Sequence, residues 1–423
     1  MNTIPDSEPA AGRVRAAWPR TELLRALRSR NYRLFFAGQS ISLIGTWMQK
    51  ITVAWLVYRL TGSAFWLGVT GFAGQIPTFC LAPFAGVLVD RWDRYRILLA
   101  TQVLSLIQAS LLAVLALSHW IVLWQVVALS AVLGMINAFD IPSRQSLVVD
   151  LVEDPEDLSN AIALNSTMVN GARMIGPTVA GLLIALVGEG MSFALNAASF
   201  VAVLAALSAM RIKHRPRPLD RKRMLHEMGD GLRYAFGHGP IRSVLLLLSI
   251  VSLVAMPYTQ LLPIFAGEVF HGGPRMLGYL TGASGAGAII ASLLLASLRS
   301  SRHLGKFVIV ALTLFGAGLV IFAYSPWLSL ALLALVVVGF GMMLMITACN
   351  TALQMLTAEN QRGRVMSLFT MAFMGMGPIG CLIAGSLATH WGAPTTLALG
   401  GILCLFAVVG FGRTTWGLQV QRP

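Results

Sequence analysis

Residues 86–96 read GVLVDRWDRYR and combine acidic and basic side chains in one short stretch. They follow an apolar run over residues 65–89 and precede another over residues 97–118. Each run is long enough for a membrane span, which takes roughly 20 apolar residues. A short basic segment between two such runs is typical of a loop that stays on the cytoplasmic side. The stretch therefore predicts a membrane hairpin.

The same alternation continues along all 423 residues, of which 56% are hydrophobic and only 11% are charged. A soluble domain carries about 25% charged residues, so this composition excludes a soluble protein. It also excludes disorder and a primary role in nucleic-acid binding, despite a net charge of +14. No run alternates strictly between apolar and polar residues, so helices rather than a β-barrel are expected in the membrane. Twelve apolar runs fall near 34–58, 65–89, 97–118, 121–141, 160–187, 191–210, 241–266, 276–298, 306–325, 327–348, 365–389 and 394–412.

The basic residues are sorted by side. Of the 31 lysines and arginines, 27 fall in the two tails and in the loops that share their side of the membrane. The loops on the other side hold only Arg59 and Arg275. Positive residues stay inside, so both termini of this multi-pass membrane protein are predicted to be cytoplasmic.

The chain divides at its middle. Gly176-Pro177 in the fifth run has a counterpart in Gly377-Pro378 of the eleventh, and a polar segment expected to be a loop precedes each (142–145 and 350–354). A parallel repeat of two halves is typical of transporters. The predicted fold is an all-α membrane protein with twelve transmembrane helices in two pseudo-symmetric six-helix halves. Its parts are a basic cytoplasmic tail (1–33), the N-terminal half (34–210), a basic linker with a surface helix (211–240), the C-terminal half (241–412) and a short tail (413–423).

The stretch at residues 86–96 resembles the cytoplasmic loop motif of the major facilitator superfamily, except that Asp93 stands where that motif usually has glycine. Residues 31–39, 45–49, 137–145 and 362–367 resemble one bacterial branch, which includes enterobactin exporters and macrolide efflux proteins. The resemblance implies the major facilitator fold. It also implies secondary active export of a small drug-like or siderophore-like molecule across the bacterial inner membrane by alternating access, in exchange for protons.

The expected partners are a small-molecule substrate, protons and the lipid bilayer, with no nucleic acid and with a monomeric chain. No ATP-binding loop, zinc pattern or catalytic serine set is present, so neither an enzyme, a cofactor nor a metal is predicted. The four cysteines form no CxxC pair and are expected to be buried small hydrophobes. Two alternatives stay open: uptake or flipping of a metabolite or lipid, and a non-transporting membrane sensor or scaffold.

A gate is predicted in the quoted stretch. Gly86 lets another helix approach closely, and Asp90 can pair with Arg94 or cap the positive end of a neighbouring helix. The resemblance implies that this neighbour is span eleven and that the contact holds the cytoplasmic side shut, with Arg91 and Arg96 completing the motif. The alternative is an anchor that only fixes topology.

A helix bend is predicted in span five, since proline removes a backbone hydrogen bond and small residues allow close packing. The segment loosely resembles the antiporter motif of exporters, and plain helix packing is the alternative. The residues concerned are Gly171, Gly176, Pro177 and Gly181, with Gly377 and Pro378 in span eleven.

Arg173 is the single residue that most clearly indicates a functional site. An arginine deep inside a span costs at least about 2.5–3.5 kcal/mol unless it is paired or hydrated. It is a candidate for holding an anionic substrate group or relaying to a carboxylate, and a structural pair with backbone carbonyls or Asn170 is the alternative. Asp140 is the best candidate for proton coupling, and an ion pair with Arg144 or Arg94 is the alternative. Lys50 is expected to reach towards the outer face.

The remaining candidates for substrate contact come from spans one and seven, which line the cavity in the family, and from the start of the loop after span ten. For each of them, packing or a lipid-facing position is the alternative. They are Trp47, Gln49, Tyr258, Gln260 and Asn350.

Overall fold

The structure is a computed structural model that describes residues 24–152, 157–210, 233–297 and 304–415. After a 3₁₀ turn at Arg25–Arg28, the N-terminal half is entirely helical. Its helices are α1 (Arg30–Thr61), α2 (Ala64–Arg91), α3 (Arg94–Leu117), α4 (Leu123–Leu151) and α5 (Leu158–Ser208).

Helix α5 contains two spans. Its backbone leaves the helical region at Gly188, where φ is 80° and ψ is 174°. A positive φ is open to glycine at little cost, so this residue lets the chain reverse direction between the fifth and sixth spans. The break falls where the sequence predicts the boundary between the runs 160–187 and 191–210.

The C-terminal half begins with a divided seventh span. Helix α6 (Gly239–Val254) ends just before Pro257, and α7 (Tyr258–Ile264) continues into a π-helical turn at Phe265–Val269. Proline cannot donate a helical hydrogen bond, which explains the interruption. The remaining helices are α8 (Gly273–Ser297), α9 (Leu304–Ala323), α10 (Leu328–Leu356), α11 (Arg362–Trp391, after a 3₁₀ turn at Glu359–Gln361) and α12 (Ala393–Thr415).

The predicted all-α fold with twelve spans is confirmed. Ten of the described helices are long and apolar enough to cross a membrane. Helix α5 is one of these and crosses twice, and α1 adds a crossing whose polar side chains keep its mean hydropathy lower. An even number of crossings puts the start of α1 and the end of α12 on one face, which we call the terminal side; the other face is the opposite side.

Two predicted loops are helical instead. Residues 142–145 lie inside α4, and residues 350–354 lie inside α10. Both extensions carry buried apolar side chains, such as Leu147 in α4 and Leu353 in α10. The packing of these side chains stabilises the additional helical turns. Hydropathy ends a span where polar residues begin, but a helix continues beyond the bilayer wherever one of its faces is buried.

The basic linker at 211–240 is described only at its end. Most of the predicted linker helix lies outside the described residues, although Ala235 is helical and buried at its end.

All four cysteines are free, and three of them are buried. The expectation of burial is wrong for Cys80, which is exposed on α2.

Among the described residues, the hydrophobic core joins the two halves towards one side. The largest cluster of buried residues unites both halves, and includes Trp55 and Ile184 of the N-terminal half beside Tyr258 and Phe265 of the C-terminal half. A separate cluster at the terminal side, around Tyr32, consists of N-terminal residues alone. The described residues of the N-terminal half therefore join this shared core towards the opposite side.

Candidate transport site

Glycines bring the two halves together at two places. A Cβ at Gly181 of α5 would lie 2.7 Å from the Cα of Gly278 in α8, and a Cβ at Gly385 of α11 would lie 3.0 Å from the Cα of Gly68 in α2. Only glycine permits backbones to approach this closely. Since all four residues lie in the parts of their helices near the opposite side, these contacts close the molecule there.

The repeat seen in the sequence is also a repeat of contacts. A Cβ at Gly176 of α5 would lie 2.6 Å from the Cβ of Trp47 in α1, within the N-terminal half. A Cβ at Gly380 of α11 would lie 2.8 Å from Pro257 of the seventh span, within the C-terminal half. In both halves the helix with the Gly-Pro pair packs on the first span of its own half and, further along, on the other half.

The other members of the predicted bend pack more loosely. Nothing lies within 4 Å of a Cβ built at Gly171, and one at Gly377 meets only ordinary contacts at 3.5 Å or more. Pro177 and Pro378 are buried inside continuous helices. Close packing therefore depends on Gly176 and Gly181 among the glycines predicted in α5.

Two cations share one indole ring near the centre of the molecule. The Lys50 ammonium lies 4.6 Å from the ring centroid of Trp47, and the Arg173 guanidinium lies 5.7 Å from it. Both distances fit a cation–π interaction. Arg173 stands fifteen residues from Leu158 and fifteen from Gly188, which is the middle of its span.

These two cations lie between the halves. Arg173 donates to the sulfur of Met342 in α10 at 3.5 Å, and Lys50 lies within electrostatic range of Cys381 in α11. The expectation that Lys50 reaches the outer face is wrong, because its ammonium turns towards Trp47 and the middle of the interface. Lys50 is nevertheless exposed, while Trp47 and Arg173 are half-buried.

The surroundings of the cations are neutral. A thioether and an indole ring are weak partners for a guanidinium, which normally binds carboxylates. Within the described part of the chain, no carboxylate lies within salt-bridge distance of Lys50 or Arg173. The alternative of a bond between Arg173 and Asn170 is not seen among the described residues: Arg173 donates to Met342, and the Asn170 amide donates to the carbonyl of Ser166.

Gln49 belongs to a different environment from its neighbour Lys50. Its side chain accepts from the amide of Asn196 at 2.7 Å and donates to Gln108 at 3.0 Å, and Gln108 donates onward to the carbonyl of Leu129. All three side chains are buried between α1, α3 and the second span of α5. This amide network, which the sequence does not reveal, is internal to the N-terminal half.

We expect Asn196→Leu to lower the stability of the folded protein by about 1–3 kcal/mol, because the Gln49 oxygen loses its donor in a buried place. The measurement is thermal unfolding in detergent. Asn170→Leu is the matched control, since its amide bond to Ser166 is exposed. Equal melting temperatures for the two variants would contradict a structural role for the network.

Asp140 also lies inside the N-terminal half. It accepts from Gln102 at 2.6 Å and from Thr101 at 3.1 Å, and Arg144 lies 3.8 Å away. Of the two basic partners considered from the sequence, Arg144 is therefore the one beside it. Arg94 pairs with Asp150 at 3.0 Å.

The remaining candidates for substrate contact are dispersed. Tyr258 is buried, with its hydroxyl 2.6 Å from that of Ser284 and its ring edge-on to Phe315. Gln260 lies across the interface, 2.9 Å from a Cβ built at Gly71 of α2. Asn350 accepts from Gln354 at 2.7 Å near the end of α10. Of the predicted set, Trp47 and Arg173 are in contact, and Tyr258 lies within electrostatic range of Arg173.

The predicted gate is described in part. The last turns of α2 contain Gly86, Asp90 and Arg91. The surroundings of these three residues lie outside what the structure describes. Asp93, the departure from the family motif, caps α3 by accepting from the backbone of Tyr95 at 3.0 Å, and it lies 3.4 Å from Arg96. Aspartate is a favourable cap because its oxygen satisfies a backbone N–H at the helix start.

Comparison with known proteins agrees with this architecture. The chain is 26% identical over 393 residues to the staphyloferrin A transporter of Staphylococcus aureus, covering 92% of this chain and 98% of that one. It is 25% identical over 395 residues to macrolide efflux protein A of Streptococcus pyogenes, covering 89% and 96%. The fold matches a solved bacterial homologue of the human lysosomal transporter Spinster with a TM-score of 0.70 at 13% identity, covering 94% and 99%.

A family described as transmembrane secretion effector matches residues 21–415. This range contains every helix that the structure describes, as well as Lys50, Trp47 and Arg173. The family is one of transporters and not of enzymes. The resemblance inferred from the sequence motifs is confirmed, and the chain belongs to the transmembrane secretion effector family of the major facilitator superfamily.

Proposed function

We propose that this protein exports a small organic molecule across the bacterial cytoplasmic membrane by alternating access, in exchange for protons. The observation that carries the proposal is the exposed Lys50 beside Arg173, between two halves that are closed by glycine contacts on the opposite side. A charged group in the middle of a membrane protein marks a solute pathway. The relatives named above transport staphyloferrin A and expel macrolides, which supports export of an organic solute.

The terminal side is cytoplasmic in this proposal, because 27 of the 31 basic residues belong to it. The described state then opens inwards: it is closed outside by Gly181 and Gly278, and the terminal-side core of the N-terminal half is separate from the other half. An exporter in this state can take its substrate from the cytoplasm.

The gate on the terminal side closes in the outward-open state of the cycle. When the inner ends of the halves meet, Gly86 lets α2 approach the start of α11, where Asp90 faces the positive end of that helix. Arg91, Arg94 and Arg96 hold the segment at the cytoplasmic surface. The contact has to break in each cycle, so its net strength is modest.

Coupling to protons requires an ionisable side chain that can change its protonation during the cycle. Asp140 is an ionisable candidate in the described spans, but its hydrogen bonds lie within the N-terminal half. The test is flux of a panel of substrates in proteoliposomes with an imposed pH gradient. We expect export to fall when the gradient is collapsed with a protonophore, whereas unchanged export at constant membrane potential would contradict proton antiport.

A further inference from the structure

We propose that Lys50, Arg173 and Trp47 form a binding site for an anionic group of the transported molecule. This inference rests on the export proposed above, and it adds that the exported molecule carries a negative charge. The site would take a carboxylate, or another compact anion, that is attached to a flat apolar body.

Positive charge at this place is not balanced by a nearby described carboxylate. Lys50 and Arg173 lie 4.6 and 5.7 Å from the same ring centroid, and each is within electrostatic range of the other. The described acidic side chains lie elsewhere: Asp140 is hydrogen-bonded inside the N-terminal half, and Asp157 and Glu189 pair with arginines at the ends of the spans. Two positive charges close together in a membrane interior are costly without a counter-charge.

An anion has to reach the cations without crossing lipid. Lys50 is exposed, and its contact with Trp47 and its closeness to Cys381 of the other half place it at the interface between the halves. Lys50 lies twenty residues from the start of α1 at Arg30, which is roughly 30 Å along the helix. Closure on the opposite side by Gly181 and Gly278 directs that access to the terminal side.

The shape of the site suits a carboxylate attached to an apolar body. A guanidinium forms two parallel hydrogen bonds to a carboxylate, and an ammonium adds a third donor from another direction. Met342 currently receives the Arg173 donor, and a thioether is a weak acceptor that an anion would displace. The Trp47 ring and the methionine offer apolar surface for the body of the molecule.

The site also lies where movement can be coupled to binding. Lys50 and Trp47 belong to α1, Arg173 belongs to α5, and Met342 and Cys381 belong to the other half. A ligand held by Arg173 in place of Met342 exchanges a contact between the halves for a contact with substrate. Binding an anion therefore changes the energy of one conformation relative to the other, which alternating access requires.

The test uses the full chain in nanodiscs of phosphatidylcholine and three matched probes: 2-naphthoate, the neutral 2-naphthamide and the cationic 2-naphthylmethylammonium. We expect 2-naphthoate to bind at least tenfold more tightly than the other two. Lys50→Gln and Arg173→Gln should each remove this preference, whereas Lys50→Arg should keep it. Arg59→Gln is the control, since Arg59 pairs with Glu189 near the opposite side.

Equal binding of the three probes, or a preference for 2-naphthoate that survives Lys50→Gln in a folded protein, would overturn the site. If Arg173→Gln does not fold, binding of the three probes to Lys50→Gln alone tests the site. The anion can be a free solute or an acidic lipid headgroup. Competition by phosphatidylglycerol in the nanodisc, lost in Lys50→Gln, supports the site and assigns it to lipid; no competition supports it for a soluble anion.

Failure of the site and failure of the proposed function give different results. Site-dependent binding of 2-naphthoate without flux of any solute in proteoliposomes would contradict export and leave the site intact. Export of uncharged solutes, with no preference among the three probes, would contradict the site and leave export intact.

Discussion

Gly181→Leu is expected to hold the protein open on the side opposite the termini and to reduce transport more than tenfold. A Cβ at this position would lie 2.7 Å from both the Cα of Gly278 and the carbonyl oxygen of Pro274. These are backbone atoms, so the neighbouring helix cannot yield by rotating a side chain. The larger residue fits only when α5 and α8 separate, which is the outward-open state of the proposed cycle.

The distance between spin labels measures this shift. Trp120 and Trp327 are exposed in loops of the two halves on the opposite side, so Trp120→Cys and Trp327→Cys provide the label sites once the exposed Cys80 is replaced. Gly171→Leu is the matched control on the same helix, because nothing lies within 4 Å of a Cβ there. A label distance and a flux equal to those of the control would contradict the role of the glycine contact.

Arg173→Ala is expected to lower flux at least tenfold while the folded yield and melting temperature stay the same or rise. An arginine in the middle of a span with a thioether and an indole as partners contributes little to stability, and removing it ends the cost of burying the charge. The same side chain is the strongest donor available to a substrate.

The experiment compares flux in proteoliposomes with thermal unfolding of the same preparations. Arg173→Lys keeps the charge and serves as the control for lost packing. Parallel losses of flux and stability in Arg173→Ala would assign Arg173 a structural role and remove it from the transport site.

Much of the fold follows from the sequence because the bilayer imposes a length and a composition on every span. Twelve runs, their division in the middle and the break near Gly188 are all visible without a structure. Hydropathy reports contact with lipid, however, and not helical structure. This is why it ends the fourth span near residue 141, although buried residues such as Leu147 continue α4 to Leu151.

The site is less accessible to sequence reasoning, because depth along a helix does not fix the direction in which a side chain points. Gln49 and Lys50 are neighbours, but successive residues are about 100° apart around a helix. One consequently joins the buried amides of Gln108 and Asn196, and the other turns to the interface. A usable signal is the spacing of Trp47 and Lys50, since residues three apart share a helix face.

The most direct test of the account is the side from which position 50 can be labelled. Lys50→Cys, in a protein without Cys80, is treated with a membrane-impermeant maleimide in right-side-out and inside-out vesicles. We predict labelling from the cytoplasmic side in the otherwise native protein, and a shift to the outer side when Gly181→Leu is added. Equal labelling from both sides, or the same side in both backgrounds, would contradict a cavity that opens alternately to each face of the membrane.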